Sequence, residues 1–441
     1  MLKRMICLLL ALCFLPLCAV AELEDKLPDA LQVTQKEEYL HLTGEVYIHT
    51  YYPHTYNTEV DATLREILAD MTARARVRLP SKAKNKNDSC VLDCGPSVYR
   101  TGDRWVSFLC VAVIRDGREQ IYTDFVALAY DMISGRQLTL RDVIADDEGL
   151  ALVSAAAREQ LAAYFPQEEA DAATLDALTS VEALESVPFT LNTAFLQLHY
   201  RADALYGEKN TLMHVQIPYS ALREHMTDTA LVQTDNSNRK LIALTLDDGP
   251  TRGRTMRCVR NLRAGGANAT FFIVGNRIYA GHDELSFAHD AGFAIGSHNY
   301  EHIYKNANKG KVISFRDKLN AELTAVIGRE VSIMRAPGGH EQIFIDEDVH
   351  LPLIHWSVIS KSNNSVVEDP GKEARRLANL AKDGDIILMH DLYTGTDKIF
   401  LTLPELLAEK GFLCVTVEEL FAARGIELLP NEVYWNAYAE E

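Results

Sequence analysis

Residues 241–250 read LIALTLDDGP. A mostly apolar run, 241–246, stops at Asp247, Asp248, Gly249 and Pro250. Such a run, closed by a turn signal, predicts a buried strand with two carboxylates at its C-terminal end. Outward from it, strands and helices alternate. Met256, Val259 and Leu262 fall at helical spacing before Gly265-Gly266. Residues 269–274 and 293–295 predict the next strands. Ser314 is expected to cap a helix through Phe315, Leu319, Leu323 and Val326, stopped by Gly328. Strands follow at 331–334 and 352–358. Asp369-Pro370 opens a helix through Ala374, Leu377 and Ala381 to Gly384, and 385–389 is again a strand. Thr402 and Glu405 have the spacing of a capping box, with Pro404 near its start. Residues 412–417 form the last strand. Repeated β–α units imply parallel strands with helices outside, and function collects at the C-terminal strand ends.

Those ends carry chemistry. Asp247 and Asp248 follow the first strand, and His298 and His302 follow 293–295. Arg335 follows 331–334, and His390 follows 385–389. An isolated DDGP is a common turn, an isolated pair of histidines four apart is often accidental, and a lone histidine is often core. At successive strand ends they converge on one rim. Two histidines and one aspartate can bind Zn²⁺ or a similar divalent metal and leave positions open for water and substrate.

The ordered set resembles the polysaccharide deacetylases, also called NodB-homology domains or family-four carbohydrate esterases. The resemblance covers roughly 241–421. It includes the framing segments TLDDGPTRGRT, ANATFFIVGNRI, GFAIGSHNYEH, MRAPGG and DGDIILMHDLY. It implies an α/β fold, a distorted (β/α) barrel of the NodB type. It also implies that Asp248, His298 and His302 hold the metal, zinc first, with cobalt or nickel as alternatives. Asp247 would be the catalytic base, oriented by Arg335, and His390 the general acid. The main-chain N–H of Gly338, where an aromatic residue is common, would face the oxyanion. One segment departs from the pattern. After Trp356-Ser357-Val358 the family usually carries a D-x-x-D-W-like stretch, but here Ile359-Ser360-Lys361-Ser362-Asn363 follows. The missing acid would normally orient the histidine at position 390. Losing such a partner typically costs about 10–100-fold, which slows an enzyme without abolishing it. Ser362 or Asn363 can offer a substitute.

The first half reads as a smaller α+β domain. Val60, Leu64, Ile67 and Met71 mark a helix, and 105–114 and 121–132 pair as a hairpin around Arg115-Asp116-Gly117. Val153, Ala157, Leu161 and Tyr164 mark another helix, and strands lie at 195–200 and 213–217. The segment YTDFVALAYDMISGRQLTLRDVI, with ALYGEKNTLMHVQIPYSAL beyond it, resembles the extracellular module of lysozyme-sensing anti-sigma factors and of some peptidoglycan deacetylases. That resemblance implies a wall-proximal or protein-binding accessory role. Its histidines, His41, His49, His54, His199, His214 and His225, have no ligand spacing and read as surface or core. Arg74, Arg76, Arg78, Lys82, Lys84 and Lys86 stand without an intervening acid. They are either a contact for an anionic wall polymer or, as the favoured reading, a solvated loop.

The chain of 441 residues starts MLKRMICLLLALCFLPLCAVA, a basic start, an apolar run and an A-x-A end. This predicts a secretory signal peptide cleaved after Ala21, in place of a retained anchor. Five cysteines remain after it, an odd number. Cys90 and Cys94 sit in an apparent polar loop and can pair in an oxidising compartment, while Cys258 and Cys414 read as buried thiols. A formal charge of −18 argues against a general nucleic-acid binder. The expected organisation is signal peptide 1–21, accessory domain 22–230, linker 231–240, deacetylase domain 241–425 and C-terminal tail 426–441. The expected function is a secreted, cell-wall-associated, metal-dependent deacetylase of N-acetylated glycan, peptidoglycan first, with no membrane span after cleavage. Two rivals stand beside it: a wall- or protein-binding protein with a weakened esterase domain, and an O-acetyl esterase of xylan or another polysaccharide.

Overall fold

The computed structural model describes residues 27–84, 89–117, 119–303, 309–345, 349–362 and 366–438. The expected signal peptide, Lys86 and Asn363 lie outside them. Among the described residues, no helix is long and apolar enough to cross a membrane.

The first half opens with a six-stranded sheet ordered β1 (Thr34–Leu42), β2 (Val46–His54), β3 (Cys90–Thr101), β4 (Trp105–Asp116), β5 (Glu119–Asp131) and β6 (Arg136–Gln137). β2 and β3 are parallel, so the chain needs a crossover, and the helix Thr58–Arg76 supplies it. Asn57 caps that helix by accepting from the N–H of Glu59 and Val60. Its Val60, Leu64, Leu68, Met71 and Ala75 lie on one buried face, while Ile67 of the expected stripe is only partly buried beside it. A three-stranded sheet, β7 (Phe189–Leu191), β8 (Phe195–Arg201) and β9 (Leu212–Pro218), completes this half.

β4 is buried on both faces, and its period of two shows why. Phe108, Cys110, Ala112 and Ile114 point to the helix Thr58–Arg76 and its core. Leu109, Val111 and Val113, with Tyr99 of β3, point the other way and share one core with Ile242, Leu244, Phe271 and Phe287 of the second half. Uncovering those four side chains would cost on the order of 6 kcal/mol. The halves are therefore packed face to face. The expected linker, 231–240, is no loose spacer: the helix Asp228–Gln233 runs into it, and Gln233, Asn236 and Arg239 are buried.

Charge reinforces this interface. Asp93 of β3 is fully buried and accepts from Arg260 Nε at 2.7 Å, Arg260 Nη2 at 2.8 Å and Arg115 Nη2 at 2.6 Å. Burial opposes its ionisation, but the two guanidinium groups outweigh burial and hold the carboxyl well below the usual range. This buried Asp93 corrects the reading of 89–95 as a polar loop. Cys90 and Cys94 belong to β3, and both face the core of the first half. Four residues of strand separate them by about 13 Å, too far for a disulfide. All five described cysteines are free.

The second half contains β10 (Lys240–Gly249), β11 (Thr270–Ile273), β12 (Ala294–Ser297), β13 (Leu353–Ile354), β14 (Val358–Ile359), β15 (Ile386–His390), β16 (Phe412–Val415) and β17 (Val433–Tyr434). Its main sheet is parallel, ordered β12-β11-β10-β15-β14, with β16 on the first half of β10. Met334 bridges Ser297 on one side and Leu353 on the other. The segment 353–359 then runs from that edge to β15, closing a distorted barrel.

The expected strand 331–334 is thus reduced to one bridging residue. The expected strand 352–358 is split into β13 and β14. The cause is Arg335, whose Nε and Nη2 donate to the carbonyls of Ile354 and His355. Those acceptors are diverted from any neighbouring strand. The expected tail, 426–441, is part of this half: β17 pairs β13, and Ala437 is buried with its N–H on the Gly384 carbonyl. Two caps also differ. The helix Lys309–Ile327 begins before Ser314, and Thr402 makes no capping hydrogen bond because its ψ of −35° is not extended.

Candidate active site

Neighbouring residues of a regular strand point to opposite faces, so adjacent Asp247 and Asp248 would be expected to diverge. The pairing of β10 with β11 shifts register here: Asp247 faces Phe272 and Gly249 faces Ile273, leaving Asp248 as the extra residue. Asp248 adopts φ 73°, a left-handed conformation that aspartate tolerates better than most residues. This bulge turns both carboxylates into one cleft. The next residue must be glycine, since a Cβ at Gly249 would lie 2.6 Å from Asp391 Oδ2. Arg277 secures the bulge by donating from Nη1 to the Asp248 carbonyl.

His298, just past β12, is buried. Its Nδ1–H donates to the Arg335 carbonyl at 2.9 Å, which leaves Nε2 as a lone-pair donor. Nε2 lies 3.8 Å from Asp247 Oδ2 and 3.7 Å from Asp248 Oδ1. Burial lowers its pKa, favouring the neutral ring. His302 Nε2 reaches Asp248 Oδ1 at 3.5 Å from the half-exposed rim. One ligand atom from each of Asp248, His298 and His302 falls within 4.8 Å of the others. Asp248 Oδ1 is buried and accepts no hydrogen bond from the described residues. A buried carboxylate oxygen without a donor, facing two imidazole nitrogens, fits a divalent cation.

Arg335 is fully buried, and every arm has a partner. Nη1 donates to Asp247 Oδ1 at 2.8 Å and Thr245 Oγ1 at 2.7 Å, besides the two carbonyl contacts above. The guanidinium also lies over the Phe272 ring at 4.2 Å. It fixes the position of the Asp247 carboxylate.

His390 ends β15 directly opposite Asp247 in the strand pairing. Its Nδ1 is buried and has no hydrogen-bond partner among the described residues. Ser362, on the segment that departs from the family pattern, accepts at Oγ from the His390 main-chain N–H at 3.3 Å, and its own N–H donates to Ser360 Oγ. Gly338, in the turn Pro337–Gly339 with φ 64°, lines the same cleft. All seven residues singled out by sequence therefore gather at one end of the barrel.

The cleft, of about 470 Å³, also contains Arg277, His340, Trp356, Leu388 and Tyr393, which sequence reasoning did not assign. Beneath it, Asp391 accepts from Thr251 Oγ1 at 3.1 Å and from Thr255 Oγ1, tying the turn after Asp248 to β15. Its signal was its place beside His390. Arg277 had none beyond its place after β11.

The basic stretch fares differently. Arg74 pairs with Asp70 and Asp124, Lys84 with Glu119, and Arg78 lies over the Tyr122 ring. Arg74 and Lys84 therefore meet their charge within the fold.

Residues 234–350 match a family model described as polysaccharide deacetylase. Over 208 residues the chain is 29% identical to a bifunctional xylanase/deacetylase of Pseudobutyrivibrio xylanivorans, covering 46% of this chain and 33% of that protein. Over 187 residues it is 28% identical to the peptidoglycan-N-acetylglucosamine deacetylase PgdA of Listeria monocytogenes, covering 42% of this chain and 40% of that one. The match thus spans well under half the length of either relative. A solved structure described as T48 deacetylase with substrate is 31% identical, covering 45% of this chain and 98% of that one, with a TM-score of 0.42.

Proposed function

The second half of this chain is a polysaccharide deacetylase domain, and from that premise we propose that the protein hydrolyses N-acetyl groups from a glycan outside the cytoplasmic membrane, peptidoglycan first. The observation that carries the reading is the convergence of Asp248, His298 and His302 beside an Asp247 held by Arg335. The relative that deacetylates peptidoglycan supports the substrate class, and the leader sequence supports the location.

Asp248, His298 and His302 would hold a divalent ion, zinc first. When bound, such an ion polarises the amide carbonyl and acidifies water. Asp247 takes a proton from the attacking water. Arg335 holds that carboxylate aimed into the cleft through its Nη1 hydrogen bond. The water oxygen joins the acetyl carbon, and the Gly338 N–H is assigned to the negative charge that develops on the carbonyl oxygen. His390 gives a proton to the amide nitrogen as the C–N bond breaks, releasing acetate and a free amine on the sugar. The test is acetate release from defined glycans with Zn²⁺ or Co²⁺, comparing the native chain with Asp247→Ala and His390→Ala. No release from any substrate at saturating metal would sink the reading.

One observation favours a weakened enzyme that serves mainly as a binding protein. Among the described residues, Nδ1 of His390 has no orienting partner. Release by the native chain no faster than by His390→Ala would select that alternative. The xylanase/deacetylase relative supports the other rival, an O-acetyl esterase. Release from acetylated xylan but not from N-acetylated glycan would select it. The wall-proximal or protein-binding role of the first half stays part of the proposal. Because the halves share a core, it is tested by substitution at Arg76 and Arg78, not by deletion. Unchanged retention on purified wall would remove the basic stretch from that role.

A further inference from the structure

We infer that Trp435 forms a glycan-stacking subsite beside the catalytic cleft, taking a neutral pyranose ring of the same chain whose acetyl group is being removed. The inference rests on the deacetylase reading of the cleft.

Trp356 lines the cleft. His355 stacks against it, with ring centroids 4.8 Å apart and planes 19° apart. Trp435 lies on His355 in turn, at 3.8 Å between centroids. Trp435 therefore stands one ring beyond the cleft wall. His355 is almost wholly buried, yet Trp435 keeps 48% of its surface in water. A large aromatic ring so exposed at the edge of a polar cleft is unusual for mere packing.

The ring is held by the same hydrogen bonds that build the active site. The His355 N–H donates to the Tyr434 carbonyl at 2.7 Å, and the His355 carbonyl accepts from Arg335 Nη2 at 2.8 Å. One residue therefore ties the base-orienting arginine to β17, the strand that directly precedes Trp435. Glu341 Oε2 lies 3.1 Å from His355 Nε2 and fixes that ring. Gly339 closes the other side, because a Cβ there would lie 3.0 Å from the Trp356 ring. The platform is rigid before any ligand arrives, which lowers the ordering cost of binding.

A pyranose presents axial C–H groups on its faces and hydroxyls at its rim. An indole takes the face and leaves the hydroxyls in water. A polymer seated with one sugar in the cleft carries further sugars past its wall, where Trp435 waits. No charged side chain is needed, so the ligand is neutral glycan.

The test uses the full chain carrying Asp247→Asn, which keeps the ligand intact, and N-acetylglucosamine oligomers of two and six units. Affinities are read by calorimetry. Trp435→Ala should weaken the hexamer about fivefold, the scale of one aromatic stacking contact, and change the dimer less than twofold. Trp435→Phe should restore most of the loss. Equal weakening of both lengths, or of neither, overturns the subsite, as does failure of both oligomers to bind. Length-dependent binding without acetate release from the native chain supports the subsite and overturns the catalytic reading alone.

Discussion

Asp247 and His390 are register partners on adjacent parallel strands, β10 and β15. The proposed base and the proposed acid therefore stand side by side on a rigid sheet, each at a strand end. Their spacing is set by the backbone ladder, so the variable part of the site is how each side chain is held. Asp247 has Arg335, while Nδ1 of His390 has no partner among the described residues.

Arg335 makes the first prediction. It joins Asp247, Thr245 and two carbonyls through a planar fork that lysine cannot reproduce. Arg335→Lys should lower kcat by about 100-fold, in line with losing about 2.7 kcal/mol of transition-state stabilisation. It should also lower Tm, since buried carbonyls are left without donors. Kinetics within threefold of the native chain would refute the assigned role.

Metal retention makes the second. Asp248 Oδ1 is the buried oxygen without a donor. Asp248→Ala should abolish stoichiometric Zn²⁺ binding in equilibrium dialysis, and a chelator should abolish acetate release by the native chain. Re-addition of Zn²⁺ or Co²⁺ should restore it. Stoichiometric zinc on the variant would move the metal site elsewhere.

The missing acid makes the third. Ser362 is buried beside the His390 main chain. Ser362→Asp should place a carboxylate near Nδ1 and raise kcat by about tenfold, the lower end of what such partners contribute. A fall in kcat with Tm unchanged would show that His390 is already oriented.

The strand ends that carry chemistry were legible because each short apolar run, even 331–334, which keeps one bridging residue, is followed at once by a polar turn. What stayed hidden is non-local. β3 looked like a loop because Asp93 interrupts it, and only Arg115 and Arg260 explain that charge. β17 is two residues long, too short for any period, so Trp435 read as tail. The shared core was illegible because β4 alternates between two partners, both apolar, and leaves no polar face to count.

Asp93 makes the fourth prediction. Removing it leaves Arg115 and Arg260 facing each other in the interface, and breaking a buried pair costs about 3–5 kcal/mol. Asp93→Ala should lower stability by that order, measured by urea unfolding, with both halves still melting in one transition. Two separate transitions in the native chain would contradict the shared core.

The fifth concerns pH and three buried histidines. His214 Nε2 lies 3.0 Å from the His289 carbonyl, so that nitrogen donates. Its Nδ1 must then accept from His199 Nδ1 at 2.9 Å. One proton fills that contact, and a second would set two N–H groups against each other. Burial drives all three imidazoles below their ordinary pKa, His214 to about 4, with the partner imidazole and Arg329 adding to the shift. The unfolded chain binds more protons below pH 6.5, so this stability is fully present above that pH and lost as pH falls toward 4. For His214 alone the loss at pH 5 is about 2 kcal/mol. Asp290, which burial raises to about 6, works in the opposite sense over the same range. The comparison must therefore be between variants. His214→Gln should be less stable than the native chain at pH 7.5, and the gap should narrow by about 2 kcal/mol at pH 5. A gap constant with pH would show that His214 does not titrate with folding.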